Sequence, residues 1–531
     1  MTSFYQKKLI EVAFPLEKIS NVFFRTNREA AGRRGRDIHV WWAQQPHSVV
    51  RAILFLQLVD DPATLSQLNL TIEEQRELRR RYYEIVDKLI DEEVSEGLLL
   101  EARKEILLSW GGQYAPTREA FLNSKEQIFN YIESGKIPPI PPLHDPFAGS
   151  GTIPLEAQRL GLRSRASDIN PIATLLNKTI LVLPSLVCGL PFGDSQSDQV
   201  QPRELTQAST KSASYGFPSN SGAKSLLFEA LTRYGKKVFG EGNELLSHYY
   251  PQAKLLITRE GYIRHATHEE VLKDSQLPVP ERRIFELPIL AWIWVRTVRS
   301  PHPLFRHVEV PLATSFVLSS RTGEETWVEV QPHQSAKSSR VGPRAYDFVL
   351  KNSKLHGLPK SPISRGTFLG EESGFECGMS GIPIPLSYIK SEGLAGRIGL
   401  RLMAILAWKD GEIVFLPPSP EQEAVARSAK PRWRPVQNLP DNPHIFPQSD
   451  YGLSTFADLF TSRQLLALTT FSDLLTKLPE RIVADVGLQF GGEEQKGRRD
   501  DELHDLKDGS PPLPSPQKVA EAVTTFLALC L

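Results

Sequence analysis

An eight-residue stretch at positions 145–152, DPFAGSGT, constrains the fold of this chain more than any other part of its sequence. A short apolar run at residues 137–143 predicts a buried strand before it, despite its prolines, and the apolar spacing of residues 153–160 predicts a helix after it. Gly149 and Gly151 allow the backbone to turn sharply and to approach a ligand closely. A strand, a glycine turn and a helix in this order begin a nucleotide-binding βαβ unit.

A second acidic residue, Asp168, follows in the sequence SDINP, where the second strand of such a unit is expected to end. Its carboxylate can accept two hydrogen bonds from a ribose diol. The turn contains no lysine, which excludes a P-loop, and it lacks the third glycine of the NAD and FAD fingerprint. Asp145, in front of the turn, suits a cofactor that carries an ammonium group. These features favour S-adenosylmethionine, which combines an ammonium group, a ribose diol and an adenine; the alternative is a turn that only packs a helix on a sheet.

The chain has 531 residues, a length that predicts two or three domains. Lys and Arg together number 62, as do Asp and Glu, so any surface that attracts nucleic acid must be local. The three cysteines, Cys188, Cys377 and Cys530, are too few and too scattered for a disulfide framework, which favours a reducing, cytoplasmic location. The N-terminus has no signal-peptide pattern and the apolar runs are too short to span a bilayer, so we expect no membrane partner.

Changes in hydrophobic periodicity and in proline content divide the sequence into predicted segments. These are a helical N-terminal region (1–135), a cofactor-binding βαβ core (136–190), a loop or linker (191–222), a helical segment (223–299), a β-rich insert (300–418) and a return to the core (419–531). In the first segment, we expect Ser48 to cap a helix over residues 49–59 and the capping-box sequence at residues 71–74 to start a helical region. After Asp168, residues 172–183 predict a helix followed by a strand.

Two features of the N-terminal region are candidates for ligand contact. Trp41 and Trp42 are adjacent, and they predict either an anchor in the core or a wall of an aromatic ligand pocket. A basic loop at residues 25–36 is the best local candidate for contact with DNA phosphates, although a solvated loop fits its composition equally well. The predicted nucleic-acid contacts are Arg33, Arg34 and Arg36.

Five stretches resemble the adenine-specific DNA methylases that carry an internal zinc ribbon, which are class I S-adenosylmethionine-dependent methyltransferases. They are residues 8–16 (KLIEVAFPL), 39–43 (HVWWA), 145–152 (DPFAGSGT), 451–460 (YGLSTFADLF) and 463–471 (RQLLALTTF), so the resemblance runs over nearly the whole chain. It implies an α/β fold, with a Rossmann-like methyltransferase core, a mostly parallel sheet, a helical N-terminal region and a β-rich insert where the family has its ribbon. It also implies DNA as a partner and DNA methylation, as in restriction–modification systems, as the activity.

The resemblance assigns roles to the residues of the motif. Asp145, Gly149 and Gly151 would contact the methionine part of S-adenosylmethionine. Asp168 would hold the ribose, and Asn170 would lie near the adenine. The predicted cofactor contacts also include residues that complete the motif or lie in the segment before it: Pro146, Phe147, Thr152, Trp41 and Trp42.

One departure from the family pattern concerns the metal. Family members have two cysteine pairs in the insert, and tetrahedral zinc needs four ligands. Here the region of the first pair begins at Ser300 and contains no cysteine, and that of the second contains Cys377 alone. The nearby His302 and His307 fit no standard zinc spacing, so we predict no metal site and expect Cys377 to be buried.

A second departure concerns catalysis. Amine methylation needs the turn Asp/Asn-Pro-Pro-Tyr/Phe, which hydrogen-bonds the target amine and stacks on a flipped base. No Asp-Pro-Pro or Asn-Pro-Pro occurs in the sequence, and in the family this motif lies beyond the point where the chain ends, so we expect a C-terminally truncated chain with no catalytic residues of its own. Two hypotheses stay open. The first is a DNA adenine methyltransferase whose remaining part is lost to truncation or supplied by a second polypeptide. The second is a noncatalytic subunit, or decayed gene product, that binds cofactor or nucleic acid. The motif chemistry disfavours an NAD-type oxidoreductase.

Overall fold

The computed structural model describes residues 6–12, 14–30, 45–65, 69–91, 94–112, 138–187, 226–257, 263–277, 283–333, 345–357, 366–440, 442, 446–490 and 515–531. The chain forms two compact units. The first combines Met1–Val238 with Leu474–Leu531, and the second comprises Phe239–Asp473. Among the described residues, no helix is both long enough and apolar enough to cross a membrane.

The first unit begins with helices α1 (Leu9–Val12), α2 (Leu16–Ala30), α3 (His47–Leu58), α4 (Ile72–Leu89) and α5 (Glu96–Gly112). The predicted capping box starts α4, because the Thr71 hydroxyl accepts the Glu74 N–H at 3.3 Å and the Glu74 carboxylate accepts the Thr71 N–H at 2.8 Å. The predicted cap at Ser48 is wrong. Helix α3 begins at His47, after the extended backbone of Pro46, and Ser48 is buried inside the helix.

The βαβ core consists of β1 (Leu143–Asp145), α6 (Thr152–Arg159), β2 (Ser164–Ala166), α7 (Pro171–Asn177), a π-helical turn (Lys178–Val182) and α8 (Leu183–Val187). The strand predicted at residues 137–143 is present but shorter and later. β1 starts only at Leu143, and residues 138–142 form no strand because their prolines lack the N–H groups that a strand ladder needs. The strand predicted within residues 172–183 is also wrong. The chain stays helical there, because helically spaced side chains are buried: Leu176, Thr179, Leu183 and Val187.

The N-terminal helices and the βαβ core share one hydrophobic core. Buried side chains from α1 to α5 form a single cluster with Ala157 of α6 and with Leu160 and Leu162, which follow it. On α4, Tyr82, Ile85 and Leu89 are buried in this core, and the partly buried Leu78 packs against it. The helix that follows the glycine turn therefore packs on the N-terminal region.

A buried ionic network crosses this core. The Glu156 carboxylate on α6 is fully buried, accepts a hydrogen bond from Arg51 Nε at 2.7 Å and lies 2.9 Å from His47 Nδ1. Arg159 Nη1 contacts the same carboxylate at 3.0 Å, and Arg51 Nη1 also donates to the Leu89 carbonyl at the end of α4 at 3.3 Å. Burial raises the pKa of Glu156, but the hydrogen bonds from His47 and Arg51 and the arginine charges outweigh it and hold the pKa at about 2.

The remaining elements, in chain order, are α9 (Leu226–Leu246), β3 (Ala253–Ile257), β4 (Ile263–His265), α10 (His268–Ser275), β5 (Ile284–Leu287), β6 (Ile289–Arg299), β7 (Glu309–Leu312), β8 (Val317–Ser319), β9 (Thr326–Pro332), β10 (Tyr346–Asn352), α11 (Ser353–His356), β11 (Phe368–Gly370), β12 (Gly374–Glu376), β13 (Pro383–Ile384), α12 (Leu386–Leu394), β14 (Gly399–Lys409), β15 (Glu412–Leu416), α13 (Pro420–Ser428), α14 (Ser462–Phe490) and α15 (Pro516–Cys530). The segment predicted to be β-rich contains β7 to β15.

The second unit contains sheets of order β4-β3-β5, β15-β14-β6-β7, β10-β9-β8 and β11-β12-β13, all antiparallel. Residues 223–299 were expected to be helical, but beyond α9 they form β3 to β6 and α10, because β6 is rich in β-branched and aromatic residues. The pair β1 and β2 is the one parallel pair in the part of the chain that the structure describes, so the expected mostly parallel sheet stays a prediction.

We expect the substitution Glu156→Gln to lower the free energy of unfolding by about 3 kcal/mol, because it leaves Arg51 buried beside a neutral amide. Urea unfolding followed by circular dichroism measures the difference. The control is Glu77→Gln, since Glu77 pairs with Arg80 on the exposed face of α4 and such pairs contribute little. Equal losses in the two variants would contradict the special role of the buried pair.

The same network predicts a dependence on pH. The pKa of Glu156 falls from an ordinary 4.5 to about 2 in the folded chain. Its contribution to stability is therefore complete above pH 4.5 and is lost as the pH falls toward about 2. The stability difference between the wild type and Glu156→Gln should narrow across this interval in urea titrations at several pH values. A difference that stays constant would exclude Glu156 as the titrating group.

Candidate cofactor-binding site

The turn between β1 and α6 has backbone angles that favour glycine. Gly149 (φ 52°) and Gly151 (φ 82°) lie in the left-handed region, and the Gly151 N–H donates to the Ala148 carbonyl at 2.7 Å. Gly151 is also the N-cap residue of α6. A Cβ atom on Gly151 would lie 2.5 Å from Asn177 Oδ1, so the turn needs glycine here for space as well as for conformation.

Asp168 is hydrogen-bonded to this turn. Its Oδ2 accepts the Gly149 N–H and its Oδ1 accepts the Asn170 N–H, both at 2.8 Å. These hydrogen bonds, first that from Asn170 and then that from Gly149, hold the pKa of Asp168 below its ordinary value. The Ile169 N–H contributes in the same direction, and because an ionised carboxylate offers about four acceptor sites, Asp168 can still accept from a ligand. The side chain is therefore fixed, charged and able to bind a diol.

Asp145 lies next to it at the same edge of the strand pair. Asp145 ends β1, and Asp168 lies just beyond the end of β2, which runs parallel to β1. The Ser167 N–H donates to the Asp145 carbonyl at 3.0 Å and the Ala148 N–H donates to the Ser167 carbonyl at 3.1 Å, which joins the two strand ends. The half-buried side chain of Asp145 accepts the Phe147 N–H at 3.1 Å. This edge is where open α/β sheets bind ligands.

Exposed apolar side chains flank the two acids. Phe147 is 86% exposed, and Ile169, the residue after Asp168, is 101% exposed. Pro146 is exposed as well. Two large apolar side chains beside two carboxylates give the mixed apolar and polar surface that ligand sites use. Ile169 was not among the predicted residues, although its apolar side chain directly after the second acid was an available signal.

Asn170 and Thr152 have local structural contacts. Asn170 Oδ1 accepts the Ile172 N–H at 2.9 Å and caps α7. Thr152 is buried, with its Oγ1 3.1 Å from Ser150 Oγ. Both residues thus shape the starts of the helices around the turn, and their contact with a cofactor stays a prediction.

Asn177 is hydrogen-bonded to the glycine turn, a contact that was not predicted from the sequence. Its Nδ2 donates to the Gly149 carbonyl at 3.0 Å and to the Ala173 carbonyl at 2.7 Å. Its Oδ1 is buried next to Gly151 and has no hydrogen-bond partner among the residues that the structure describes. A single amide at the end of the apolar run IATLLN was the available signal.

Several predicted residues lie outside the described part of the chain. They are Trp41, Trp42, Arg33, Arg34 and Arg36. Their assignment to a cofactor pocket or to DNA contact stays a prediction.

The residues that the resemblance places at the zinc ribbon make local contacts. Cys377 is buried, and its Sγ lies 3.2 Å from Ser300 Oγ. His302 Nδ1 accepts the Leu304 N–H at 3.2 Å. Within the described ranges, no group of three or more His, Cys, Asp and Glu side chains could hold a metal ion.

We expect Gly151→Ala to lower the free energy of unfolding by at least about 1–2 kcal/mol, because alanine must adopt a left-handed conformation and displace the Asn177 side chain. Gly240→Ala is the matched control. Gly240 lies inside α9 with open space around its Cα, so alanine should be neutral there or stabilise the helix by up to about 1 kcal/mol. Thermal unfolding of both variants measures the contrast, and equal Tm values would contradict the tight fit at Gly151.

A family of unknown function matches part of the chain. The family model described as "Protein of unknown function (DUF1156)" matches residues 13–85. No curated protein and no solved structure matches the chain. The matched residues include α2, α3 and most of α4, whose buried side chains share a core with α6. The match therefore covers helices that support the candidate site rather than the turn itself.

Proposed function

We propose that this chain binds S-adenosylmethionine at the turn between β1 and α6, as the cofactor-binding part of a DNA methyltransferase that acts on the exocyclic amine of adenine. One observation carries the proposal. Asp145 and Asp168 lie at the same edge of a parallel strand pair, joined by a glycine turn whose amide holds the second acid. When bound, the cofactor supplies the methyl group, and this chain binds and orients it.

The residues around the turn match the three polar and apolar parts of the cofactor. Asp168 has free acceptor sites for the ribose hydroxyls and is kept ionised by two backbone N–H groups. The carboxylate of Asp145 offers a partner for the ammonium group, and Gly149, which has no side chain, allows the methionine part to approach the backbone. Ile169 presents an exposed apolar side chain suited to the adenine.

The target amine needs a second set of groups. The sequence contains no Asp-Pro-Pro or Asn-Pro-Pro, so we assign the amine-binding turn to a second polypeptide that acts with this chain on DNA. The oxygen acceptors of such a turn hydrogen-bond the amine and keep its lone pair directed at the methyl group, while an aromatic ring stacks on the flipped base. A cytoplasmic location, where DNA is accessible, belongs to the same proposal.

A noncatalytic role is the second candidate. The same absence of the amine-binding turn favours a subunit that binds cofactor or nucleic acid without transferring a methyl group. Both candidates require the site at Asp168 to bind S-adenosylmethionine, and they differ only in turnover.

We expect S-adenosylmethionine to bind the full chain in isothermal titration calorimetry, and Asp168→Ala to weaken binding at least about tenfold. The reason is that each hydrogen bond to a charged group contributes about 1.5–3 kcal/mol. Asp87→Ala is the control, because Asp87 is a surface carboxylate of the same unit that pairs with Lys18. The cofactor proposal fails if the wild type does not bind, or if the two variants bind alike.

We expect no transfer of labelled methyl groups to adenine in DNA by the isolated chain, because it lacks the amine-binding turn. Transfer should begin when a polypeptide that carries this turn is added. Turnover by the chain alone would refute the assignment to a partner. Continued inactivity with a partner that forms a stable complex would favour the noncatalytic role.

A further inference from the structure

A short exposed segment of the second unit combines positive charge with an aromatic ring. The basic–aromatic segment, residues 430–436, has the sequence KPRWRPV and follows α13. It contains neither helix nor strand. Its cations Lys430 and Arg432 are exposed, Trp433 is 44% exposed and Val436 is 78% exposed. Three cations around a tryptophan within five positions stand out in a chain with no net charge.

The segment is held in place at both ends. Before it, Ala429 is buried. After it, the Leu439 N–H donates to the Ser454 carbonyl at 2.8 Å and the Phe456 N–H donates to the Gln437 carbonyl at 3.1 Å. Within it, two prolines restrict the backbone. The exposed side chains are therefore displayed on a fixed stretch, which reduces the entropy cost of binding.

Two contacts orient the side chains in the segment. Trp433 Nε1 donates to Asp473 Oδ1 at 2.9 Å, and Arg434 donates to Asp458 Oδ1 at 2.6 Å. These contacts fix the indole ring and neutralise Arg434. Lys430 and Arg432 have no ion-pair or hydrogen-bond partner for their side chains among the described residues. Two unpaired cations thus flank a ring that is held at its N–H.

Further aromatic side chains lie in the segment to which this stretch is hydrogen-bonded. Phe456 is 39% exposed and Phe460 is 42% exposed. The Phe460 N–H donates to the Ala457 carbonyl at 3.2 Å, which keeps it close to Phe456 along the chain. Exposed rings and unpaired cations are the two kinds of group with which proteins bind unpaired nucleotides, the rings stacking on bases and the cations contacting phosphates.

We infer that residues 430–436 form a contact surface for an unpaired nucleic-acid strand, with Lys430 and Arg432 on phosphates and Trp433 stacked on a base. An unpaired strand is favoured over a duplex because bases inside a duplex do not expose their faces to a side chain. The inference rests on the proposed function for the identity of the strand as DNA. RNA would use the same chemistry and is compared directly in the test.

The test measures binding of the full chain to labelled oligothymidine, the matching RNA and a duplex of equal length by fluorescence anisotropy at several salt concentrations. We expect tighter binding to the single strands than to the duplex. The double variant Lys430→Gln/Arg432→Gln should reduce the slope of log affinity against log salt by about 1.4, since each phosphate contact contributes about 0.7. Arg283→Gln/Arg306→Gln is the matched control, because it removes two exposed cations of the same unit outside the segment.

The tryptophan is tested separately. Trp433→Ala should weaken binding by between about fivefold and 150-fold without changing the salt slope, because stacking does not release counterions. Trp433→Phe keeps one aromatic ring but loses the N–H that contacts Asp473 and the second ring of the indole, so it should bind more tightly than the alanine variant. This variant also keeps the test valid if the alanine variant does not fold.

Three outcomes would overturn the inference: no binding by the wild type at low salt, equal slopes for the segment variant and its control, or equal loss in the phenylalanine and alanine variants. A fourth outcome, nucleic-acid binding that depends on the cations but not on the ring, would show attraction of charge alone and would also overturn it. Calorimetry of S-adenosylmethionine on the segment variants should give wild-type affinity. Loss of nucleic acid with retained cofactor binding therefore separates this inference from the proposed function.

Discussion

The first unit depends on the buried contact between Glu156 and Arg51. A carboxylate whose pKa is about 2 stays ionised, and it cannot leave its arginine without exposing two buried charges to an apolar surrounding. Glu156 lies on the helix that begins at the glycine turn, and Arg51 lies on a helix matched by the family of unknown function. A helix within the matched residues 13–85 therefore holds the helix that begins at the turn.

The turn is fixed from its other side by polar contacts. The Gly149 carbonyl accepts a hydrogen bond from Asn177, and the Gly149 N–H donates one to Asp168. Both backbone polar groups of Gly149 are therefore satisfied without a ligand. A binding surface with such support loses little conformational entropy on binding. The basic–aromatic segment of the second unit is also held in one conformation, by its prolines and by the backbone hydrogen bonds that follow it.

Local signals in the sequence predicted local structure well. These signals depend on contacts between residues close in the sequence or within one βαβ unit. They are the capping box at Thr71, the glycines of the turn and the acid at Asp168. Longer-range features were not predictable in the same way. The Glu156–Arg51 pair joins residues whose proximity depends on packing, and β6 was mistaken for part of a helical segment because burial decides its conformation. The cap at Ser48 failed for a local reason, since the helix begins at His47, two residues earlier than expected.

The pairing of β6 with β14 has a consequence for how the second unit folds. β6 ends at Arg299 and β14 begins at Gly399, so the two longest strands can pair only after a loop of about a hundred residues has closed. The entropy of closure grows slowly with loop length, so insertions between β7 and α12 would change the stability of this pair little. Such insertions would instead slow the pairing of β6 with β14. The rate of folding, rather than the free energy of unfolding, therefore limits the length of the insert.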